Sequence, residues 1–156
     1  GISDGTAPGR PGSAWLAMGL SRHTLPDGSW HFDWFIQRSR DPEARVVTFR
    51  TTEPLHRLGV EAGGLRRAVR IRRIEDHRSR YLVFSGPISG GRGEVRQVAK
   101  GRAIMHWTNW SGHGVVWFDG CLPYTVVLSP GTQDAGIWWL RPRGSCREPI
   151  SVGCAF

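Results

Sequence analysis

The sequence is poor in lysine, and it lacks a long hydrophobic run. Lys100 is the only lysine among 21 basic residues, so arginine carries almost all of the net charge of +8. No apolar run approaches the roughly 20 residues that a helix needs to cross a bilayer. The polar, glycine-rich N-terminus also lacks the pattern of a secretory signal. We therefore expect a cytoplasmic protein with no membrane partner.

Cysteine is scarce as well. The three cysteines, Cys121, Cys146 and Cys154, form no Cys-x-x-Cys pair, which argues against a cysteine-based zinc site. An odd, sparse set of thiols is typical of a reducing compartment and not of a disulfide framework. This agrees with a cytoplasmic location, and the three thiols are expected to be ordinary buried or surface groups.

Helical periodicity is the third absence, because no long stretch repeats apolar residues at i, i+3, i+4 and i+7. The chain instead has 21 Gly, 10 Pro and 8 Trp, which favours short strands separated by turns. This pattern predicts an all-β fold, a small antiparallel β-barrel or sandwich with short helical turns. The predicted strands are residues 14–20, 30–37, 45–50, 65–74, 81–84, 93–98, 103–107, 115–118, 124–128 and 137–140.

Length and local composition predict one domain after a short tail. A chain of 156 residues corresponds to a single domain. Residues 1–13 are mostly Gly, Pro, Ser and Asp with little to bury, so we expect a flexible tail followed by one barrel domain at 14–156. Residues 53–64 are predicted to form a loop or a one-turn helix, and Lys100-Gly101 a turn. The chain has no P-loop and no GxGxxG motif.

The segment Trp30–Ile36 carries the most chemical information. In a strand, alternate side chains lie on opposite faces, so His31, Asp33 and Phe35 share one face. A single metal ion can bridge a histidine and an aspartate at this spacing. The opposite face is apolar and is predicted to pack in the core through Trp30, Phe32, Trp34 and Ile36.

Two further histidines extend this candidate site. His23 precedes His31 across a turn that can fold it back beside the strand, and His77 is followed four residues later by Tyr81. Two or three imidazoles with one carboxylate suit Mn²⁺, Zn²⁺ or Fe²⁺. The remaining histidines show no such pattern and are predicted to be structural or surface residues: His56, His106 and His113.

The excess of arginine favours an acidic partner such as nucleic acid. The planar guanidinium donates two parallel hydrogen bonds to a phosphate, which an ammonium does not. A proteome that is generally rich in arginine would produce the same composition. Charge alone therefore leaves both interpretations open.

Several segments resemble the 3′-phosphoesterase module of bacterial DNA ligase D. His31–Gln37 is similar to its His-Tyr-Asp-Phe-Arg-Leu-Glu strand, and Glu75–Tyr81 to its Glu-Asp-His-x-x-x-Tyr segment. Phe84–Ile88 and Gly91–Val95 are similar to its Phe-Glu-Gly-x-Ile segment and glycine-rich turn, in the form seen in short stand-alone relatives. The segments occur in the family's order over about residues 23–103.

The resemblance implies a small β-barrel that trims the 3′ ends of DNA before ligation. It implies a divalent metal, typically manganese, which serves to remove a 3′-terminal ribonucleoside and then a 3′-phosphate. The implied partners are the 3′ ends of a primer-template and a repair ligase or polymerase. By position, the implied metal ligands are His23, His31 and Asp33, and the implied catalytic residues are His77 and Tyr81.

The resemblance also implies arginines that bind the phosphate or the DNA backbone. Arg50 lies near the position of a phosphate-binding lysine of the family. Arg70 and Arg72 precede His77 on one predicted strand and can share a face. One departure concerns the site itself, because Phe35 stands where the family has an arginine that holds the scissile phosphate.

Two other functions remain compatible with the sequence. His31, Asp33 and a distal His77 match the pattern of a 2-His-1-carboxylate Fe(II) oxygenase. A nucleic-acid-binding barrel without catalysis is the other, and Phe35 in place of the family's arginine favours it.

Overall fold

The computed structural model describes residues 15–58, 68–108 and 110–143, with the backbone alone at 142 and 143. The predicted tail and two of the cysteines, at 146 and 154, lie outside these residues. The strands are β1 (Leu16–Thr24), β2 (Trp30–Ile36), β3 (Val46–Thr51), β4 (Val69–His77), β5 (Gly86–Pro87), β6 (Glu94–Trp107), β7 (Gly112–Phe118), β8 (Tyr124–Pro130) and β9 (Ile137–Arg143).

Eight of these strands close into an antiparallel barrel. β1 to β4 form one meander and β6 to β9 a second, and the pairs β1–β6 and β4–β9 join the two. β5 adds a two-residue edge to the start of β6. Two 3-10 turns, Leu55–Arg57 and Ser79–Leu82, accompany the strands. The structure thus confirms a small all-β antiparallel barrel, and no helix among the described residues is long and apolar enough to span a membrane.

The hydrophobic core fills the barrel and confirms most of the predicted apolar face of β2. Trp34 and Ile36 are fully buried, and Phe32 lies in the same core cluster. Trp30 was expected to pack there too, but it is 38% exposed. It is the first residue of β2 and lies at the barrel rim, where few neighbours can cover it.

Two local predictions are wrong. Residues 81–84 do not form a strand, because Tyr81 and Val83 donate backbone hydrogen bonds to carbonyls three residues earlier, as a 3-10 turn requires. The turn predicted at Lys100-Gly101 is also absent, since β6 runs through it without a break. A Cβ at Gly101 would lie 2.1 Å from the carbonyl oxygen of Trp117, so this glycine allows the backbone of β7 to approach closely.

Candidate metal centre

His23, His31 and Asp33 meet on the outer face of the barrel, opposite the core-facing side of β2. β1 and β2 pair His23 directly with His31, so the two imidazoles point the same way. Their ring centroids are 4.9 Å apart in an edge-to-face arrangement. One ligand atom from each of the three residues lies within 4.8 Å of the others. A single ion can bridge donor atoms at this spacing.

One donor atom of this group is left without a hydrogen-bond partner inside the protein. His31 Nε2 is buried and makes no hydrogen bond, and it lies 3.6 Å from Asp33 Oδ2. A buried polar atom without a partner costs about 1–3 kcal/mol. A cation between these two atoms would remove that cost, so the observation fits a metal ligand.

A backbone hydrogen bond orients His23. Its Nε2 lies 2.8 Å from the carbonyl oxygen of Arg92. A carbonyl oxygen only accepts, so Nε2 carries the proton and donates it. The lone pair of the neutral ring is then on Nδ1, which is free to bind a metal. Histidine ligands are commonly held in one tautomer by a bond of this kind.

The position of the Arg92 carbonyl depends on the glycine that follows it. Gly93 has φ +97°, a left-handed conformation that side chains rarely adopt. A Cβ at Gly93 would lie 2.1 Å from the carbonyl oxygen of Thr24. The loop before β6, which contains Arg92 and Gly93, therefore approaches the end of β1 only because residue 93 has no side chain.

Asp33 is held as a carboxylate by His31 and Arg50. The residue is 5% exposed, and Arg50 donates from Nε to Oδ1 at 2.9 Å and from Nη2 to Oδ2 at 3.4 Å. Burial by itself raises the pKa of Asp33, but the approach of His31 and the paired bond from Arg50 outweigh it and hold the pKa below its ordinary value. The carboxylate is thus ionised at neutral pH and available to a cation.

The predicted phosphate-binding arginines lie on the same outer face. Asp33 pairs with Arg50, and Arg50 pairs with Arg72, across β2, β3 and β4. Arg70 lies two residues before Arg72 on β4, so their side chains share a face. Arg50 serves mainly as the partner of Asp33. The side chain of Arg72 is 48% exposed and lies 3.6 Å from that of Asp134. A solvent-exposed ion pair of this kind contributes little to stability.

His77 and Tyr81 surround Phe35 and lie outside the candidate metal-ligating group formed by His23, His31 and Asp33. Phe35 follows Asp33 on the outer face of β2 and is 2% exposed. Its ring centroid is 5.6 Å from that of His77 and 6.3 Å from that of Tyr81. His77 Nδ1 donates to the carbonyl oxygen of Glu75 at 2.9 Å. Phe35 is therefore the centre of an aromatic cluster.

The 3-10 turn that carries Tyr81 is fixed to the outside of β1. Gln97 donates a side-chain hydrogen bond to the carbonyl oxygen of Leu82. A Cβ at Gly19 would lie 2.6 Å from the same oxygen, so the turn packs directly on the strand backbone. These contacts, and the hydrogen bond between the Arg92 carbonyl and His23, were not predicted from the sequence. The glycine-rich run before Glu94 was the only signal for any of them.

The remaining histidines follow their predictions, with one addition. His56 packs between the rings of Phe32 and Phe118, which is a structural position. His106 and His113 are exposed, but they face each other across β6 and β7 with nearly parallel rings whose centroids are 5.3 Å apart. Their pairing depends on hairpin register and was not expected.

No protein-family model and no curated protein matches this sequence.

Proposed function

We propose that this protein is a metal-dependent phosphoesterase that removes a 3′-terminal ribonucleoside or a 3′-phosphate from DNA. The observation that carries the proposal is the group His23, His31 and Asp33, in which one donor is unpartnered, one is held in a single tautomer and one is ionised. Two imidazoles and a carboxylate suit Mn²⁺, and also Zn²⁺. A bound divalent cation supplies positive charge to a phosphate oxygen.

The arginines beside the group support a phosphate substrate. Arg70 and Arg72 are exposed on the same outer face, and their guanidinium groups can donate charge-assisted hydrogen bonds to a terminal phosphate or the strand backbone. Arg50 is a positioning residue, because it orients the carboxylate of Asp33. The net charge of +8 favours association with DNA at this face.

His77 and Tyr81 supply hydrogen-bonding groups next to Phe35. Because Nδ1 of His77 donates to Glu75, its Nε2 is the nitrogen left for a ligand. From Nε2 the ring would donate a hydrogen bond to a phosphoryl oxygen, or it would act as a general acid that gives a proton to the leaving oxygen. The hydroxyl of Tyr81 would orient a second oxygen. We further propose that the protein acts in the cytoplasm with a repair ligase or polymerase.

The test is a processing assay with Mn²⁺ and two primer-templates, one ending in a ribonucleotide and one in a 3′-phosphate. We expect the protein to shorten the first primer or remove the phosphate from the second. Both reactions should disappear with EDTA and in Asp33→Asn, which keeps the shape of the side chain. Asp119→Asn is the matched control, because Asp119 is an exposed aspartate outside the group of His23, His31 and Asp33. Processing that survives in Asp33→Asn contradicts the proposal.

A nucleic-acid-binding barrel without catalysis is the second candidate. The burial of Phe35 between His77 and Tyr81 favours it, since an apolar ring stands where charge would hold the scissile phosphate. This candidate predicts DNA binding without processing. The logarithm of the association constant should then fall with the logarithm of salt concentration by about 0.7–0.9 per phosphate contacted.

The oxygenase alternative has less support. Its expected ligand set included His77, which the metal-ligating group of the described residues does not contain. The barrel also consists of two meanders, whereas the double-stranded helix expected of such an oxygenase is a jelly roll, which is built from two Greek keys. Oxygen consumption that requires Fe²⁺ and a keto acid would restore this alternative.

A further inference from the structure

A polar pocket separate from the candidate metal centre lies at the barrel mouth. It has a volume of about 250 Å³ and is lined by Arg22, Thr24, Glu94 and Arg96. Strands β1 and β6 pair Arg22 with Arg96 and Thr24 with Glu94, so the four side chains share a face. This is the inner face of β1, opposite that of His23, because alternate residues point to opposite sides.

Arg22 is held in place and is left with an unused donor. Its guanidinium lies 4.4 Å from the ring centroid of Trp30, a stacking contact that fixes a planar cation. Its Nε is buried and makes no hydrogen bond. Among the described residues, no carboxylate lies within ion-pair distance of Arg22 or Arg96. The pocket therefore holds two positive charges and one negative charge, that of Glu94, which forms no ion pair with either arginine among the described residues.

We propose that this pocket binds the phosphate group of a nucleotide. Two guanidinium groups that line one pocket can donate to the oxygens of one phosphate, and the hydroxyl of Thr24 is a further donor. Glu94 is an acceptor for a sugar hydroxyl at the same mouth. Trp30 is 38% exposed, and an exposed indole beside a cationic groove is a stacking surface for a base. None of the pocket residues belongs to the metal-ligating group, so the inference does not depend on the phosphoesterase reaction.

The test is calorimetric titration with two probes, inorganic phosphate and deoxyadenosine 5′-monophosphate, in EDTA and with Asp33→Asn as the parent protein. These conditions remove binding through a metal and prevent turnover. We expect both probes to bind, the nucleotide more tightly. Arg22→Gln and Arg96→Gln should each weaken both by about tenfold or more, since each removes a charge-assisted contact. Trp30→Leu should abolish the preference for the nucleotide.

Arg102→Gln is the matched control. Arg102 lies on β6 as Arg96 does, and its guanidinium stacks on Trp117 at 5.0 Å, but it is outside the pocket. It should leave both affinities unchanged. Arg96 is exposed, so its variant remains informative even if Arg22→Gln unfolds. The proposal is wrong if neither probe binds, or if Arg96→Gln binds phosphate as the parent does. Equal affinity for the two probes contradicts the assignment to a nucleotide.

Discussion

At the residue scale, the candidate centre depends on partners that set the state of each ligand. Arg50 helps His31 to keep Asp33 ionised, and the Arg92 carbonyl selects the tautomer of His23. Neither partner would bind the metal. Contacts of this kind commonly change metal affinity by about 10- to 100-fold, so their substitution tests the centre without removing a ligand.

Arg50→Gln is expected to weaken metal binding. The substitution removes the charge and the paired bond on Asp33, so the pKa of that carboxyl rises and protons compete better with the cation. Zn²⁺ or Mn²⁺ affinity measured by calorimetry at pH 6 and pH 8 should fall more at pH 6. Arg102→Gln is the control, and unchanged affinity in Arg50→Gln would show that the pair does not position Asp33.

His56 predicts a loss of stability in mild acid. Burial, and to a lesser extent the charge of Arg57, hold the pKa of His56 below its ordinary value of 6.5. The folded state thus binds fewer protons than the unfolded state as the pH falls below that value, so the free energy of unfolding falls too. Urea unfolding at pH 7.5 and 5.5 should show a smaller difference for His56→Gln than for the natural protein. An equal difference would contradict this assignment.

At the element scale, the loop before β6 and the end of β1 act together. The left-handed Gly93 brings the loop against Thr24, and this contact delivers the Arg92 carbonyl to His23. Neighbouring glycines in the loop have positive φ as well, but they differ in surroundings. A Cβ at Gly91 would meet nothing within 4 Å, although its φ is +67°.

This difference provides a matched pair of variants. Gly93→Ala combines left-handed strain of about 1–3 kcal/mol with a direct clash, so it should lower both thermal stability and metal affinity. Gly91→Ala carries the strain alone and should retain metal affinity. Melting temperature and metal titration on both proteins distinguish the two effects. Equal metal affinity in the two variants would show that the conformation of the loop does not affect metal binding through His23.

At the scale of the whole molecule, closure of the barrel determines stability. The pairing of β4 with β9 and of β1 with β6 joins the two meanders. Neither meander could close into a barrel alone. Leu140 of β9 is fully buried at one of these junctions. Its surroundings belong to one core shared by all the long strands.

Leu140→Ala should therefore destabilise the protein by about 2–5 kcal/mol, because it leaves a cavity in a closed core. Val83→Ala is the comparison, since Val83 is 73% exposed, and it should change the free energy of unfolding by less than about 0.5 kcal/mol. Chemical denaturation measures both. A small effect at Leu140 would mean that the β4–β9 junction is not cooperative with the barrel.

The fold class and the two faces of β2 could be derived from the amino-acid sequence, as could four candidate ligands, of which the structure brings His23, His31 and Asp33 together but not His77. These follow from local alternation and from a short turn, which act over a few residues. Four features became apparent only from the folded protein: the continuity of β6 at Gly101, the 3-10 turn at Ser79–Leu82, the exposure of Trp30 and the pairing of His106 with His113. Each of these depends on strand register or on close approach by a distant backbone. A linear pattern does not contain that information, because the contacting atoms belong to segments far apart in the chain.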